Sequence, residues 1–142
     1  NFDNPYYIPI LIFYMKKTPT DRWQNTIINY KKQCQNILKL SNNIRYAGVI
    51  NAYGRTLTGV IKPNLKPLLK SEEVKNEFFI VSTLISLRQA SDSSVGKLDY
   101  ILLKHSKVHI VILHKKEITF YISINPKEKN FEQLVSKIKK TI

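Results

Sequence analysis

The order of hydrophobic periodicities along the chain is the feature that most limits how it can fold. A helical period comes first, followed by a tight hairpin, a second helical stretch, three alternating strands and a short amphipathic helix. Apolar residues three or four apart predict a helix, and alternating ones predict a half-buried strand. The length of 142 residues suits a single domain. The chain is therefore predicted to form one α+β domain, in the order helix-strand-strand-helix-strand-strand-strand-helix.

The first helix has an opening signal and one apolar stripe. Thr18 can accept a hydrogen bond from a free backbone amide, Pro19 presets the first helical φ, and Asp21 places a carboxylate in the first turn. The polar residues 41–43 predict where the helix ends. Between these signals, apolar residues three or four positions apart share one face: Trp23, Ile27, Tyr30, Cys34 and Ile37.

Residues 44–51 and 56–61 are predicted to form a hairpin. Gly54 lies in the short link between them and supplies the positive φ that such a turn requires. The first strand carries apolar or small residues on both of its faces, which predicts that both are covered.

The second helix, predicted over residues 72–90, is hydrophobic nearly all round. Ser71 is expected to cap it, and Glu72 and Glu73 suit the positive end of the helix dipole. One stripe holds Val74, Phe78, Val81, Ile85 and Arg88, and other faces hold Phe79, Ile80, Leu84 and Leu87. One sheet cannot cover so wide an apolar surface, so the helix is expected to be deeply buried or to lie at a subunit interface. The polar residues 91–94, with Gly96, are predicted to form a loop after it.

The last third of the chain is predicted to form a three-stranded meander followed by a helix. Residues 98–104, 108–114 and 118–124 alternate in the manner of strands, and their short links force antiparallel neighbours. Asn130 with Gln133 predicts the cap of a final helix. Its docking face comprises Phe131, Leu134, Val135, Ile138 and Ile142.

Residues 1–17 are predicted to be a tail outside a domain of residues 18–142. The apolar run over residues 6–14 is too short to span a bilayer, which takes about 20 apolar residues, and it lacks the features of a secretory signal. Met15 opens a polar stretch suited to a translation start, so residues 1–14 are expected to be upstream sequence or an added tail. The alternatives are an added strand or a segment that docks on a partner.

The chain is strongly basic. Lys and Arg outnumber Asp and Glu by 23 to 10, and a net charge of +13 favours nucleic acid, acidic lipid or an acidic protein as partner. An AT-rich genome would also enrich lysine. The predicted basic surface falls at both ends of the sheet rather than along one groove, and aromatic residues that might stack on bases lie where helices should cover them, so nucleic-acid binding is the weaker alternative. This surface comprises Lys104, Lys107, Lys115, Lys116, Lys137, Lys139 and Lys140.

No pattern in the sequence predicts catalysis, a cofactor or a metal. His105, His109 and His114 are expected near hairpin tips or within a strand, without a cysteine or paired carboxylate at metal-ligand spacing. Cys34 is the only cysteine and falls on an apolar stripe, so it is expected to be a buried structural thiol in a reducing cytoplasm. No serine lies in a nucleophile elbow, and the four glycines are too dispersed for a phosphate loop. The chain is therefore not predicted to be an enzyme.

The series of elements resembles the roadblock / dynein light chain family of the profilin-like and longin-like group. The resemblance covers residues 18–142 and rests on the strand over residues 46–50 with the turn at Gly54, the long second helix and the meander. It is closest in character to an archaeal branch of such proteins. It implies a single five-stranded antiparallel sheet, with the central helix on one face and the terminal helices on the other. It further implies a non-enzymatic dimer that acts as a platform, often for small Ras-like GTPases.

The residues independently predict a homodimer. The meander's first strand contains no proline or glycine, and an apolar edge of this kind is hazardous when unpaired. Pairing of two copies through this strand, with the second helix packing across the two-fold axis, would cover both apolar surfaces. The predicted interface comprises Phe79, Thr83, Leu87, Leu98, Tyr100, Ile101, Leu102 and Leu103. The alternatives are a monomer whose edge the N-terminal tail covers, and a small-molecule sensor that holds a ligand between sheet and helix.

Overall fold

A five-stranded antiparallel sheet organises the domain, which is seen in a computed structural model that describes residues 18–142. The helices are α1 (Pro19–Leu38), α2 (Ser71–Gln89), α3 (Asp92–Val95) and α4 (Phe131–Thr141). The strands are β1 (Ile44–Ile50), β2 (Thr56–Ile61), β3 (Ile101–Lys104), β4 (His109–Lys115) and β5 (Ile118–Ile124), and they lie in the sheet in the order β2-β1-β5-β4-β3. The predicted α+β class, strand number and element order are confirmed. The predicted tail, residues 1–17, lies outside the described residues, so the domain boundary stays a prediction.

Two separate cores cover the two faces of the sheet. The α1/α4 core, named for the helices that close it, contains Cys34, Ile37, Ile44, Ala47, Val49, Val111, Leu113, Phe120, Ile122, Ile124, Leu134, Val135 and Ile138. The α2 core contains Ile50, Phe78, Val81, Ile85, Ile110, Ile112 and Tyr121. The central helix therefore lies on one face and the terminal helices on the other, as expected. No helix within residues 18–142 has both the length and the apolar character to cross a membrane.

The start of α1 follows its sequence signal. Thr18 Oγ1 accepts a hydrogen bond from the Asp21 N–H at 3.1 Å, and the Asp21 carboxylate accepts from the Thr18 N–H at 3.4 Å. Of its apolar stripe, Cys34 and Ile37 are fully buried, whereas Trp23 is 53% exposed. Burial raises the pKa of the Cys34 thiol to about 12, so the thiol stays protonated and unreactive at neutral pH. The expectation of a buried structural cysteine is confirmed.

The β1–β2 turn depends on Gly54. Its φ is +81°, a conformation that side chains with a Cβ rarely adopt. A Cβ at this position would also lie 2.7 Å from the Phe78 carbonyl oxygen, because the turn packs directly against the backbone of α2. The turn predicted from Gly54 is confirmed, and its second role as a close contact with α2 emerges only from the fold.

The strand β3 is shorter than predicted. It begins at Ile101, and the three residues before it are not part of the ladder. They are held by side chains instead: Leu98 packs against the α2 core, Tyr100 packs against the α1/α4 core, and the Asp99 carboxylate pairs with Lys139 Nζ at 2.5 Å. The alternating pattern of residues 98–104 thus arises because successive side chains pack on the two faces of the sheet. Only residues 101–104 of this segment pair with a neighbouring strand.

Two helix starts and one loop also differ from the predictions. Ser71 is the first residue of α2 rather than its cap, and the Glu73 carboxylate accepts the N–H of Lys70 at 3.0 Å. Asn130 makes no side-chain capping bond, and its own N–H donates to Glu128 Oε1 at 3.4 Å. The predicted loop over residues 91–94 contains most of the short helix α3. In this turn the Val95 N–H donates a hydrogen bond to the Ser91 carbonyl oxygen at 3.0 Å. In each case a neighbouring polar group satisfies the free backbone amide.

Candidate functional site

An apolar stripe on α2 lies exposed on the surface of the described domain. Phe79, Thr83 and Leu87 are four residues apart and therefore share one face of the helix. Phe79 is 63% exposed and Leu87 is 64% exposed, and Ile80 beside them is 61% exposed. These large side chains lie on the side of α2 that is turned away from the sheet, so α2 offers an unpartnered apolar surface.

The polar groups along this stripe are already satisfied within the helix. Thr83 Oγ1 donates to the Phe79 carbonyl oxygen at 2.9 Å, and Ser82 Oγ donates to the same oxygen at 2.9 Å. Such bonds to a preceding carbonyl free the hydroxyl from the need for a water partner. Thr83 can therefore be covered by an apolar surface at little cost in lost hydrogen bonds.

The strand β3 forms one edge of the sheet. Within residues 18–142 it pairs with β4 alone, from Ile101 opposite Ile112 to Lys104 opposite His109. Ile101 and Leu103 pack against the α2 core, whereas Leu102 points to the other face and is 39% exposed. An edge strand with free backbone N–H and C=O groups is a template for another strand.

The predicted interface residues belong to two parts of the domain, and the pairing of two copies through them stays a prediction. Phe79, Thr83 and Leu87 lie on the outer face of α2, and the remaining five belong to β3 or to the segment that leads into it: Leu98, Tyr100, Ile101, Leu102 and Leu103. Leu98, Tyr100, Ile101 and Leu103 are half-buried in the domain itself, so they support the surface more than they form it. Ile80 and Val95 are exposed apolar residues outside the predicted set. The sequence shows Ile80 as an apolar residue off the main stripe of α2, whereas Val95 lies beside the residues predicted to form a polar loop.

The predicted basic residues do not form one groove. Lys104 and Lys107 flank the β3–β4 turn, and Lys115 and Lys116 lie at the β4–β5 turn at the opposite end of β4. Lys139 on α4 is engaged with Asp99 and lies 5.4 Å from the centre of the Tyr100 ring. Charges divided between two sheet ends and a helix give no continuous track for a phosphate backbone.

The three histidines divide between the two ends of β4: His105 and His109 lie at the β3–β4 turn, and His114 lies at the β4–β5 end. His109 packs edge-on against the Phe131 ring at 6.1 Å, and His114 Nδ1 lies 3.1 Å from the Thr119 hydroxyl. His105 is exposed in the β3–β4 turn. Within residues 18–142, no group of three histidine, cysteine or acidic side chains is placed to hold a metal ion.

Solved structures of low sequence identity share this architecture. The gliding protein MglB of Thermus thermophilus matches with a TM-score of 0.64 at 9% identity, over 81% of this chain and 86% of that protein. A Roadblock/LC7 domain from Streptomyces avermitilis matches with a TM-score of 0.60 at 8% identity, over 78% and 88%. An MglB with a tetrameric arrangement matches with a TM-score of 0.58 at 10% identity, over 80% and 89%. No protein-family model matches the chain, and no curated protein matches it in sequence.

The domain therefore has the roadblock fold, and the resemblance drawn from the sequence is confirmed at the level of the fold. The match extends over most of this chain and most of each similar structure. Nothing in these similarities bears on the archaeal lineage, which stays a prediction.

Proposed function

We propose that the protein is a non-catalytic homodimer that acts as a scaffold or regulator in protein complexes. The observation that carries this proposal is the presence of two uncovered surfaces within residues 18–142: the exposed stripe of Phe79, Thr83 and Leu87, and the edge of β3. A second copy related by a two-fold axis presents the same two features and can cover both. The tetrameric arrangement of one similar MglB structure supports self-association as a property compatible with this fold.

The proposed dimer joins the two β3 strands in antiparallel register and packs the two α2 stripes against each other. The strand pairing satisfies the backbone groups of Ile101–Lys104, and the helix contact removes Phe79 and Leu87 from water. A self-complementary contact of this kind needs about 800 Å² from each copy to be stable. The combination of an edge strand and an apolar helix face can provide that area, whereas four residues of strand alone cannot.

Light scattering coupled to size-exclusion chromatography tests the dimer. We expect the wild type to run as a dimer at micromolar concentration and the double variant Phe79→Asp, Leu87→Lys to run as a folded monomer, because charge on a buried helix face is costly. Ile28→Lys is the matched control: Ile28 is an exposed apolar residue on α1, away from the proposed interface, and its variant should stay dimeric.

A wild-type monomer at micromolar concentration would contradict the proposal. Deletion of residues 1–14 then separates two explanations. A deletion variant that dimerises would show that the N-terminal segment covers the edge, and a deletion variant that stays monomeric would show that the edge has no strong tendency to pair.

The proposed partner of the dimer is a small Ras-like GTPase. The support is the family resemblance, now joined by the shared fold with MglB and Roadblock/LC7 structures. Small GTPases of the source organism, purified one by one and loaded with GDP or a GTP analogue, can be tested by biolayer interferometry. We expect at least one to bind with a nucleotide preference of about tenfold.

A protein of similar positive charge serves as the control for this measurement, because the net charge of +13 attracts acidic proteins without specificity. Equal binding of the GTPase to this control, or no binding in either nucleotide state, would contradict the GTPase proposal. The dimer proposal would be unaffected by that result.

A further inference from the structure

A cavity of about 370 Å³ lies between the sheet, the N-terminal half of α2 and the β2–α2 loop. Its volume is within the range of small-molecule sites in proteins, which is roughly 300–1,000 Å³. Its walls are largely apolar and include Ile61, Leu65, Leu69, Val74, Phe78 and Ile110. None of the proposed dimer stripe, Phe79, Thr83 and Leu87, lines it. The cavity is therefore a feature distinct from the proposed interface.

Aromatic rings form the floor of this cavity. The rings of Phe78 and Tyr121 lie 4.8 Å apart, and those of Tyr46 and Tyr121 lie 6.4 Å apart, each pair edge to face. The Tyr46 ring lies over Gly48 and Gly59, which are opposite each other in β1 and β2. A Cβ on either glycine would collide with this ring. The glycine pair thus lets Tyr46 lie against the sheet, which leaves the space beneath α2 free.

One cationic side chain is directed to the cavity by a bulge in β1. Ile44 pairs with Ile124 and Tyr46 pairs with Ser123, so Arg45 has no partner in β5. Ile44 consequently faces the α1/α4 core, whereas Tyr46 two residues later faces the α2 side. Bulges re-aim side chains in this way. The guanidinium of Arg45, which lines the cavity, donates to the Lys66 carbonyl oxygen at 3.2 Å.

Most of the hydrogen-bonding capacity of this guanidinium is unused within the described domain. Arginine has five N–H donors in a planar fork, and within residues 18–142 the Lys66 carbonyl is the one acceptor that the Arg45 guanidinium contacts. A charged fork beside an apolar cavity matches a ligand with an anionic group at one end and a hydrocarbon chain at the other. A uniformly polar ligand would leave its own groups unpaired against the walls.

We propose that this cavity binds a fatty acid, with the acyl chain between α2 and the aromatic floor and the carboxylate on the Arg45 guanidinium. The walls formed by Val74 and Phe78 remove the chain from water, and Arg45 provides two parallel donors to the carboxylate. Lys66, which also lines the cavity, adds positive charge near the same end. The proposal is independent of the dimer and of any GTPase.

Isothermal titration calorimetry with saturated fatty acids, kept below their micelle concentrations, tests this inference. We expect saturable binding of one molecule per chain, with affinity rising about fourfold per added methylene from octanoate upward until the cavity is full. Arg45→Gln should weaken dodecanoate binding about tenfold or more and leave dodecanol binding unchanged, because only the carboxylate uses the guanidinium. Arg55→Gln, at an exposed arginine in the β1–β2 turn, is the matched control.

A second variant tests the position of the chain. Val74→Trp fills the cavity from the side of α2 and should abolish the binding of both dodecanoate and dodecanol. Nuclear Overhauser contacts between acyl protons and the rings of Tyr46 and Tyr121 report the same position in the wild type, without any substitution.

Two results would overturn the proposal. One is the absence of saturable dodecanoate binding to the wild type. The other is equal dodecanoate binding by the wild type, Arg45→Gln and Val74→Trp, which would show adsorption to the basic surface.

Discussion

The two faces of the sheet are built differently, although the same strands supply both. The α1/α4 core contains 13 buried residues and closes with two helices, whereas the α2 core contains seven and closes with one helix. The α1 backbone lies close against β1 and β2, but the α2 backbone makes no comparably close approach to any described strand. The cavity and the exposed stripe are both on the α2 side. We therefore expect the α1/α4 face to be the more rigid one and the α2 face to leave surface available for partners.

The difference also explains why α2 is apolar nearly all round. Phe78, Val81 and Ile85 pack onto the sheet, while Phe79 and Leu87 project away from it. A helix needs only one stripe to bind a sheet. The second apolar surface of α2 is exposed within residues 18–142, and the proposed contact with a second copy is therefore placed there.

Truncation in the α1/α4 core should have the largest effect on stability. Phe120 is 1% exposed and lies at the centre of this core, so Phe120→Ala should lower the free energy of unfolding by about 3–5 kcal/mol. Urea denaturation followed by circular dichroism measures this change. A loss below about 1 kcal/mol would show that the core collapses around the deletion and is less rigid than proposed.

The contact between the β1–β2 turn and α2 should have an intermediate effect. Gly54 and Gly96 both have positive φ, of 81° and 85°, but a Cβ at Gly96 would meet nothing within 4 Å. Gly54→Ala should therefore destabilise the domain more than Gly96→Ala, because it combines backbone strain of about 1–3 kcal/mol with a clash against α2. Thermal unfolding of the Gly54→Ala and Gly96→Ala variants measures the difference in their stability. Equal losses would mean that the turn moves away from α2 without cost.

The smallest effect is expected at the rim of the α1/α4 face. Hydrogen bonds from Asn43 and Ser41, at 2.8 and 2.7 Å, lower the pKa of the Glu128 carboxyl and tie the α1–β1 loop to the segment after β5. A lowered pKa in the folded state stabilises the fold above the unfolded pKa, near 4.3, and this contribution is lost as the pH falls through the folded value.

Glu128→Gln should accordingly cost about 0.5–1 kcal/mol at neutral pH, since the carboxylate is partly exposed and solvent screens it. Urea denaturation at pH values from neutral to about 3 measures the difference in the free energy of unfolding between wild type and variant. This difference should become smaller in acid. Lys127→Ala, at an exposed neighbour, is the control. A difference in the free energy of unfolding that does not change with pH would mean that the loss of stability comes from the shape of the side chain rather than from its charge.

Much of the fold could be predicted because its signals are local. The Thr18-Pro19-Asp21 start of α1 and the strand Ile118–Ile124 need only neighbouring residues to be read, and both appear where expected. The cap at Asn130 was wrong because Glu128, committed to Asn43 and Ser41 across the domain, also accepts the Asn130 amide. The length of β3 was wrong because burial on two faces imitates the alternation of a paired strand.

The sequence by itself determined the order of the elements, their amphipathic faces and the excess of apolar surface on α2, because periodicity and capping act over a few residues. Only the tertiary structure decided that Arg45 faces a cavity, that Tyr46 lies over two glycines and that β3 is a short sheet edge. Each of these depends on pairing between distant segments. A bulge, a glycine pair or an open edge is defined only by how the strands pair, so no pattern within a few neighbouring residues can predict it.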